Sequence, residues 1–555
     1  MTLGRAPEQG ELGPSSATYC DALLSPTSIY ALLYRECHNL FPDEAFADLF
    51  ANTGRDSVPP RIVAVVMVLQ RIECLSDRDA VDRFGFDMRW KYAAGGLPLD
   101  YPSFAHTVLV DMRARLRDSE EPDRVFRIVL DVAKKAGLVG RRRVMDSTAL
   151  YDAVATQDTV TMIRAAIRGL LRVADESLAT GLRGVLKRDD NYVAAGKPAC
   201  DWEDKSAREA LVDALARDAH AVLGYLDGRD LRQDVQEAAK LVATVVGQDL
   251  EQTADGTFRI ARKVAKDRVI STVDPEARHG HKTSARGFDG YKGHIAIDPD
   301  SEMITAAEVT AANVGDGSVA KELLHDVVPV TCDDDSATEN DVDTHGAVDS
   351  PAAPTTSTAD AAAENQPIEA YGDASYGSAE VLKHLEDVGV VANVKVQAAT
   401  PPGEGMFSQD AFDIDTAAGA ARCPQGLLVQ LRRNADEGWL ADFGRQCADC
   451  PLRPKCTTSK SGRTLHIHAE HARLRRARER QRDAEWKRNY RATRPKVERK
   501  IAHLMTHRHG GRRARMRGRE RVAQDFVMRC AAVNLKRLAG LGLRSVDAWA
   551  AAPLA

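Results

Sequence analysis

The sequence predicts a multidomain α/β protein in which a mixed sheet is flanked by helices. With 555 residues, the chain is too long for one ordinary domain, so several folded units are expected. Apolar, strand-like segments near 141–150, 291–310 and 367–373 alternate with long helical stretches. Hydrophobic content of 44% is that of a globular chain, and no apolar run approaches the roughly 20 residues of a membrane-spanning helix.

The N-terminal part of the chain predicts a disordered start followed by helices. Residues 1–27 are rich in Gly, Pro and Ser, which predicts disorder, and they lack the features of a signal peptide. We therefore expect a cytoplasmic protein. Residues 28–139 are helical, with a capping box at Ser76 and Asp79. A helix, a tight turn and a second helix are typical of a DNA-reading module and equally of any small helical bundle, so both interpretations stand.

The rest of the chain predicts a sheet whose strands are separated by insertions. The segment RRRVMDSTAL predicts a first buried strand, and YKGHIAIDPDSEMITAAEVT predicts two strands joined by a turn. A further strand ends at Asp373, and a helix and another strand follow it. The predicted units are a first part of the core at 140–157, a helical insertion at 158–255, core strands at 256–330, an acidic low-complexity loop at 331–366, more core at 367–400, a cysteine-rich insertion at 401–472 and basic C-terminal helices at 473–545.

Charge is strongly segregated along the chain, although the net charge is only −5. Residues 331–370 carry ten acidic and no basic residues, whereas residues 453–521 carry 24 basic and six acidic residues. A segment this basic predicts binding to nucleic acid, because such binding releases counterions condensed on the phosphates. The alternative is a solvated helix face. Within RHGGRRARMRGRER, the candidate DNA contacts are Arg512, Arg513, Arg515 and Arg517.

Two aspartates stand out because they lie in apolar, strand-like runs, where an unpaired charge is costly. Asp146 lies in MDST and Asp373 lies in YGDASYGS, beside glycines that allow close approach of backbone or ligand. A divalent metal would offset the cost of two such charges meeting, and Mg²⁺ prefers carboxylate oxygens. The alternative is that each aspartate only caps a turn.

A third carboxylate, Glu498, lies in NYRATRPKVERKIAHL. Pro495 favours a helix that begins near it, which places Glu498 in the first turn. From there a carboxylate can reach a pair carried by a sheet. The alternative is an exposed glutamate that balances Arg494 or Arg499.

Four cysteines cluster within a short stretch before Glu498. They are Cys423, Cys447, Cys450 and Cys456. One CxxC pair plus two further thiols is typical of a closed, structural Zn²⁺ site, in which nearby histidines can replace one thiol. A redox pair or unrelated buried thiols are the alternatives.

The segments MDST, DGYKGHIAID, VTAANVGD, YGDASYGS and YRATRPKVE, in this order, resemble the DDE transposases of bacterial insertion sequences. The subgroup indicated has a Tyr–Arg–Glu signature and a cysteine cluster before its last Glu. The resemblance implies a ribonuclease-H-like core in which Asp146, Asp373 and Glu498 hold two Mg²⁺ (or Mn²⁺) ions. It also implies structural zinc, DNA as the partner (terminal inverted repeats and target) and a homodimer on DNA.

The resemblance also bears on DNA contacts near the last carboxylate. Tyr490, Arg494, Lys496 and Lys292 are the candidates. Tyr490 stands four residues before Arg494, whereas the signature has three, and Met505 stands where a basic residue often follows the Glu. These departures concern Tyr490 and the position seven residues after Glu498, and they leave Glu498 as the third acid that the resemblance implies.

Two other functions fit the same residues. One is a catalytically idle, transposase-derived protein that keeps only DNA binding. The other is a metal-dependent nuclease that cuts DNA without strand transfer.

Overall fold

The computed structural model describes residues 1–5, 15–190, 192–283, 286–328, 366–434 and 437–543. The acidic loop expected at 331–366 lies outside these ranges except for its last residue. Within them, no helix combines the length and apolar character needed to cross a membrane.

The N-terminal region is helical, and its first helix corrects the prediction of disorder for residues 1–27. Ser16–Leu23 is a helix because Cys20 packs with Ala31 and Tyr92, and the Ser16 hydroxyl donates to the carbonyl of Leu97 at 2.8 Å. The Ser76 hydroxyl caps the next helix as predicted: it accepts from the backbone N–H of Asp79 at 3.1 Å and donates to the Asp79 carboxylate at 2.7 Å. The helices are α1 (Ser16–Leu23), α2 (Ile29–Leu40), α3 (Pro60–Glu73), α4 (Asp77–Phe86), α5 (Met88–Ala93), α6 (Thr107–Asp118) and α7 (Arg124–Lys135).

A mixed sheet forms the centre of the molecule. Its strand order is β6-β5-β1-β7-β8, and β4 extends the other end of β5. β5 is antiparallel to β1 and to β6, whereas β7 and β8 run parallel to β1. The strands as far as β8 are β1 (Arg142–Tyr151), β2 (Leu250–Gln252), β3 (Phe258–Ile260), β4 (Arg278–Thr283), β5 (Arg286–Ile297), β6 (Ile304–Ala311), β7 (Glu369–Gly372) and β8 (Val391–Val394).

The helical insertion follows β1 and has a hydrophobic core of its own. That core includes Met162, Leu215 and Val245, one from each of three helices. The short hairpin of β2 and β3 follows the last helix. The helices are α8 (Thr159–Val173), α9 (Glu176–Val185), α10 (Lys205–Leu226) and α11 (Gln233–Asp249).

The cysteine-rich segment builds two small sheets. The first has the order β11-β10-β9 and the second β12-β13-β14. Phe412 and Phe443 pack together in their shared core. The strands are β9 (Asp413–Asp415), β10 (Ala420–Arg422), β11 (Leu428–Gln430), β12 (Arg432–Arg433), β13 (Trp439–Asp442) and β14 (Thr464–Ile467).

The remaining helices cover the two faces of the central sheet. Those that follow β6 in the chain are α12 (Ala320–Leu324), α13 (Ala379–Asp387), α14 (His471–Arg480), α15 (Ala484–Thr493), α16 (Pro495–Leu504) and α17 (Arg519–Gly540). Helices α12 and α13 pack on the face that carries Met145, whereas α16 and α17 pack on the face that carries Val144. The buried ion pair of Arg71 with Asp525, at 3.0 Å, joins α17 to α3. The N-terminal helices and the sheet therefore share one core.

Candidate active site

Asp146 lies in the middle of β1, just beyond the point where the parallel pairing with β7 stops. The last parallel pair is Val144 with Tyr371, while the antiparallel pairing with β5 continues through Asp146 opposite Ile295. The side chain is mostly buried, with 13% exposed, and its Oδ1 accepts a hydrogen bond from the backbone N–H of Ser147 at 2.8 Å. The strand thus holds a carboxylate at an opening of the sheet.

Asp373 is the first residue after β7. Its Oδ1 accepts a hydrogen bond from the backbone N–H of Ser375 at 3.0 Å, so the turn foreseen as an alternative to a metal ligand is present. The same side chain also faces Arg494, with 3.8 Å between Oδ2 and Nη2. Capping the turn therefore does not remove Asp373 from the site.

Glu498 lies in the first turn of α16, as the proline predicts. Helix α15 ends at Thr493, and Arg494 keeps helical backbone angles between the two helices. Oε1 of Glu498 lies 3.3 Å from Nη1 of Arg494, which is the pairing anticipated as the alternative interpretation. The glutamate is 61% exposed. It therefore stands at the open side of the site.

Arg494 is the point at which the three predicted acids meet. Its Nη2 lies 3.0 Å from Oδ1 of Asp146, and the guanidinium also faces Asp373 and Glu498. The residue is only 5% exposed, and among the described atoms its Nε and Nη1 are buried without a hydrogen-bond partner. The structure thus brings Asp146, Asp373 and Glu498 around one buried cation.

The charges of the site shift the ionisation of its buried groups. Burial raises the pKa of Asp146, and the positive charge of Arg494 opposes this rise. Burial acts against the charge of Arg494, but Asp146 and Asp373 outweigh it and raise the pKa of the guanidinium. Because three carboxylates face one guanidinium, the site is suited to additional positive charge.

Tyr490 adjoins Asp373, whereas Lys496 faces Asp300. The Tyr490 hydroxyl donates to the carbonyl of Gly372 at 3.1 Å, directly before Asp373, and burial raises the pKa of this tyrosine to about 12. Its ring stacks on Trp486, with centroids 4.8 Å apart. Lys496 is half-buried, with its Nζ 3.7 Å from Asp300. Tyr490 therefore holds the end of β7 against α15.

The basic residues predicted to contact DNA differ in their exposure and in their partners within the chain. Arg513 and Arg517 are exposed. Arg512 donates to the hydroxyl of Thr148, and Arg515 donates to the carbonyl of Leu75 at 2.7 Å. Lys292 lies inside the protein, with its Nζ 2.8 Å from Asp316. Three of these side chains thus already have partners within the chain.

The four cysteines surround one small cavity of about 20 Å³ in the cysteine-rich segment. Burial raises the pKa of the Cys456 thiol, and the neighbouring thiols of Cys447, Cys423 and Cys450 act in the same direction. Across the described parts of the chain, however, no three His, Cys, Asp or Glu side chains are arranged as a metal-binding group. This holds for the thiols and for the three acids around Arg494.

Two family models match the chain. Residues 422–539 match "Transposase DDE domain", and residues 21–115 match "Transposase domain (DUF772)". Both matches support a DDE transposase of the insertion-sequence type. The first match contains Glu498 and the four cysteines, and the second runs from the end of α1 to within α6. Neither the curated proteins nor the solved structures gave a match.

One buried acid near the site, Asp316, is not among the residues predicted from the sequence, although it ends the segment VTAANVGD. Asp316 is 6% exposed and accepts hydrogen bonds from Lys292, Ser147 and Ser375. Burial opposes its ionisation, but the bonds from Lys292 and Ser147 keep its pKa below the ordinary value. The signal that was available is an aspartate a few residues after a predicted buried strand, which ends at Ala311.

Proposed function

We propose that this transposase cleaves DNA at the ends of its element and joins them to target DNA, using Asp146, Asp373 and Glu498. The observation that carries the proposal is the meeting of these acids around Arg494, although they come from a strand, the end of another strand and a helix. Three acids that meet from separate segments are a more specific signal than any one of the motifs.

The strand order supports a ribonuclease-H-like core. Such a core, as the resemblance implies it, carries the first Asp on its first strand and the second just after its fourth. Apart from β4, which pairs only with residues 286–290 of β5, the strands of the central sheet follow in the chain order β1, β5, β6, β7 and β8, with Asp146 on β1 and Asp373 directly after β7. Helix α16 brings Glu498 to the same edge.

The donor set fits divalent cations. Asp146, Asp373 and Glu498 supply the hard carboxylate oxygens that Mg²⁺ or Mn²⁺ prefers, and Arg494 alone leaves their charge incompletely balanced. Two bound ions supply charge stabilisation for the attacking and leaving oxygens of an in-line phosphoryl displacement. The protein's own part is to hold the three acids and the DNA strand in position.

Arg494 has a second part in this proposal, as a phosphate ligand. Its Nε and Nη1 are buried donors without a hydrogen-bond partner among the described atoms, and a phosphate oxygen would satisfy them. Lys496, Arg513 and Arg517 are accessible enough to contact the backbone of flanking DNA. Because two element ends must be brought together, we propose a homodimer on DNA.

We propose that the cysteine-rich segment holds a structural Zn²⁺. The support is the gathering of Cys423, Cys447, Cys450 and Cys456 around one cavity. Four thiolates form the closed set of a structural site, which leaves no position for catalysis. The ion would compensate the small local core, in which two three-stranded sheets have little apolar area to bury.

The test uses the full-length protein and linear DNA that carries the element ends. Asp146→Asn, Asp373→Asn and Glu498→Gln should each abolish Mg²⁺-dependent cleavage and strand transfer while binding of the ends persists. The matched control is Glu485→Gln, an acid in the first turn of α15, which should keep both activities.

The outcomes separate the rival functions. Cleavage without joining by the unaltered protein would show a nuclease, and binding without cleavage would show an idle DNA-binding protein. Cleavage that survives Asp146→Asn would overturn the assignment of the triad.

A further inference from the structure

The strands that lead to the two aspartates, β1 and β7, are no longer paired where they reach the site. Parallel pairing of β1 with β7 covers only three residue pairs and ends at Val144 with Tyr371. Asp146 and Asp373 both lie beyond that end, so no backbone ladder between their strands fixes the distance between the two carboxylates. Something else must hold this opening of the sheet.

Asp316 crosses the opening on the face opposite Asp146. Its Oδ2 lies 2.6 Å from the hydroxyl oxygen of Ser147, the residue after Asp146, and 3.0 Å from that of Ser375. The Ser375 hydroxyl also contacts Oδ1 of Asp373, and its single proton serves one carboxylate at a time. One carboxylate thus links the two segments that carry the aspartates.

Lys292 on β5 holds the other oxygen of Asp316. Its Nζ lies 2.8 Å from Oδ1 and donates to the carbonyl of Val314 at 2.8 Å. The side chains of Lys292 and Asp316 are 13% and 7% exposed. A buried, charge-assisted hydrogen bond of this kind fixes geometry, because losing either partner leaves a buried charge without compensation.

We propose that Asp316 is a positioning residue, which sets the separation of Asp146 and Asp373 through Ser147 and Ser375, with Lys292 as its counter-ion. This inference rests on the proposed function. Asp316 itself does not touch DNA or metal; it acts only through the two serines. Lys292, in this arrangement, serves the fold of the site and not the binding of DNA.

The experiment is a double-mutant cycle on the full-length protein. Asp316→Asn, Ser147→Ala and Ser375→Ala are made singly, and each serine change is repeated in the Asp316→Asn background. Cleavage of element-end DNA and the affinity for Mn²⁺, by calorimetry without DNA, are measured for each. Asp326→Asn is the control, because it breaks another buried ion pair of the same sheet, with Arg143 at 2.6 Å, away from the serines.

We expect Asp316→Asn to slow cleavage by about a hundredfold, as a misplacement of about 1 Å can do. Each serine change should slow it by about tenfold alone and by less than about twofold when Asp316 is already replaced, because they act in one unit. Affinity for Mn²⁺ should fall by the same factor in Asp316→Asn and in a further variant that combines Ser147→Ala with Ser375→Ala. Asp326→Asn should lower the melting temperature without these losses of cleavage rate and of Mn²⁺ affinity.

Three results would overturn the inference. Additive losses would show that Asp316 acts independently of the serines, and loss of Mn²⁺ binding in Asp316→Asn alone would make it a direct ligand. If Asp316→Asn and Asp326→Asn changed cleavage and Mn²⁺ affinity equally, Asp316 would contribute only to the stability of the protein. The unaltered protein and Asp146→Asn serve as references: if Asp146→Asn still cleaves, it is the proposed function that fails.

Discussion

Nη2 of Arg494 lies 3.0 Å from Oδ1 of Asp146, so a buried guanidinium occupies the centre of the three acids. Without such a cation the carboxylates would repel one another in a poorly solvated opening of the sheet. The arginine therefore keeps the acids together until other positive charge arrives.

Replacing Arg494 by Gln should destabilise the metal-free protein by about 1–2 kcal/mol, because two of its three carboxylate partners, Asp373 and Glu498, are partly exposed. Mg²⁺ should restore part of this loss by compensating the same acids, as measured by thermal unfolding with and without the ion. Arg499→Gln is the control, since Arg499 is 61% exposed and pairs with Glu302. A loss that Mg²⁺ leaves unchanged would contradict the role of Arg494 as their counter-ion.

The cysteine-rich segment should hold about one Zn²⁺ per chain, measured by elemental analysis of protein purified without added metal. Cys450→Ser and Cys456→Ser should each lose the ion, and a chelator should lower the melting temperature of the unaltered protein. Cys200→Ser, in the helical insertion and outside the cluster, should keep it. Zinc retained in both cluster variants would rule out these thiols as ligands.

His294 should make folding sensitive to mild acid. Burial lowers its pKa to about 4, while the nearby charges of Asp316 and Lys292 act in opposite directions, and its ring lies between Tyr376 and Thr310. Because the unfolded state takes up the proton at higher pH, stability is lost as the pH falls from about 6.5 towards 4.

The expected loss between pH 7 and pH 5 is about 2 kcal/mol of unfolding free energy attributable to His294. Urea titrations at the two pH values should show His294→Gln lacking that part of the change. His38→Gln, at an exposed position, should keep it. An unchanged pH dependence in His294→Gln would mean that other groups cause the acid sensitivity.

Gly377 should not tolerate a side chain. A Cβ there would lie 2.1 Å from the backbone oxygen of Lys395, which follows β8, so the turn after Asp373 would have to shift. We expect Gly377→Ala to cost about 1–3 kcal/mol in chemical unfolding and to reduce cleavage. Gly184→Ala, in α9 with open space around it, should stabilise the protein by up to about 1 kcal/mol. Equal stabilities of the two variants would contradict the close approach.

The sequence was most informative where one local cause decides the structure. The proline at 495 fixed the start of α16, and the apolar runs before Asp373 and around Asp146 predicted β7 and β1. The prediction of disorder for residues 1–27 was wrong at α1, because Cys20 is stabilised by contacts with Ala31 and Tyr92 from distant positions. The amino-acid composition of a segment describes that segment alone and does not show which other residues it will contact in the fold.

By itself, the sequence determined the local features of the candidate site: three acids with their approximate elements, four clustered cysteines and a basic C-terminal segment. Only the tertiary structure decided that Arg494 lies among the acids, that Lys292 faces Asp316, and that Asp316 joins Ser147 to Ser375. Strand and helix patterns follow from neighbouring residues, whereas these partners come from distant segments that meet only when the sheet assembles. Their pairing depends on burial and charge in the folded core, which no local pattern contains.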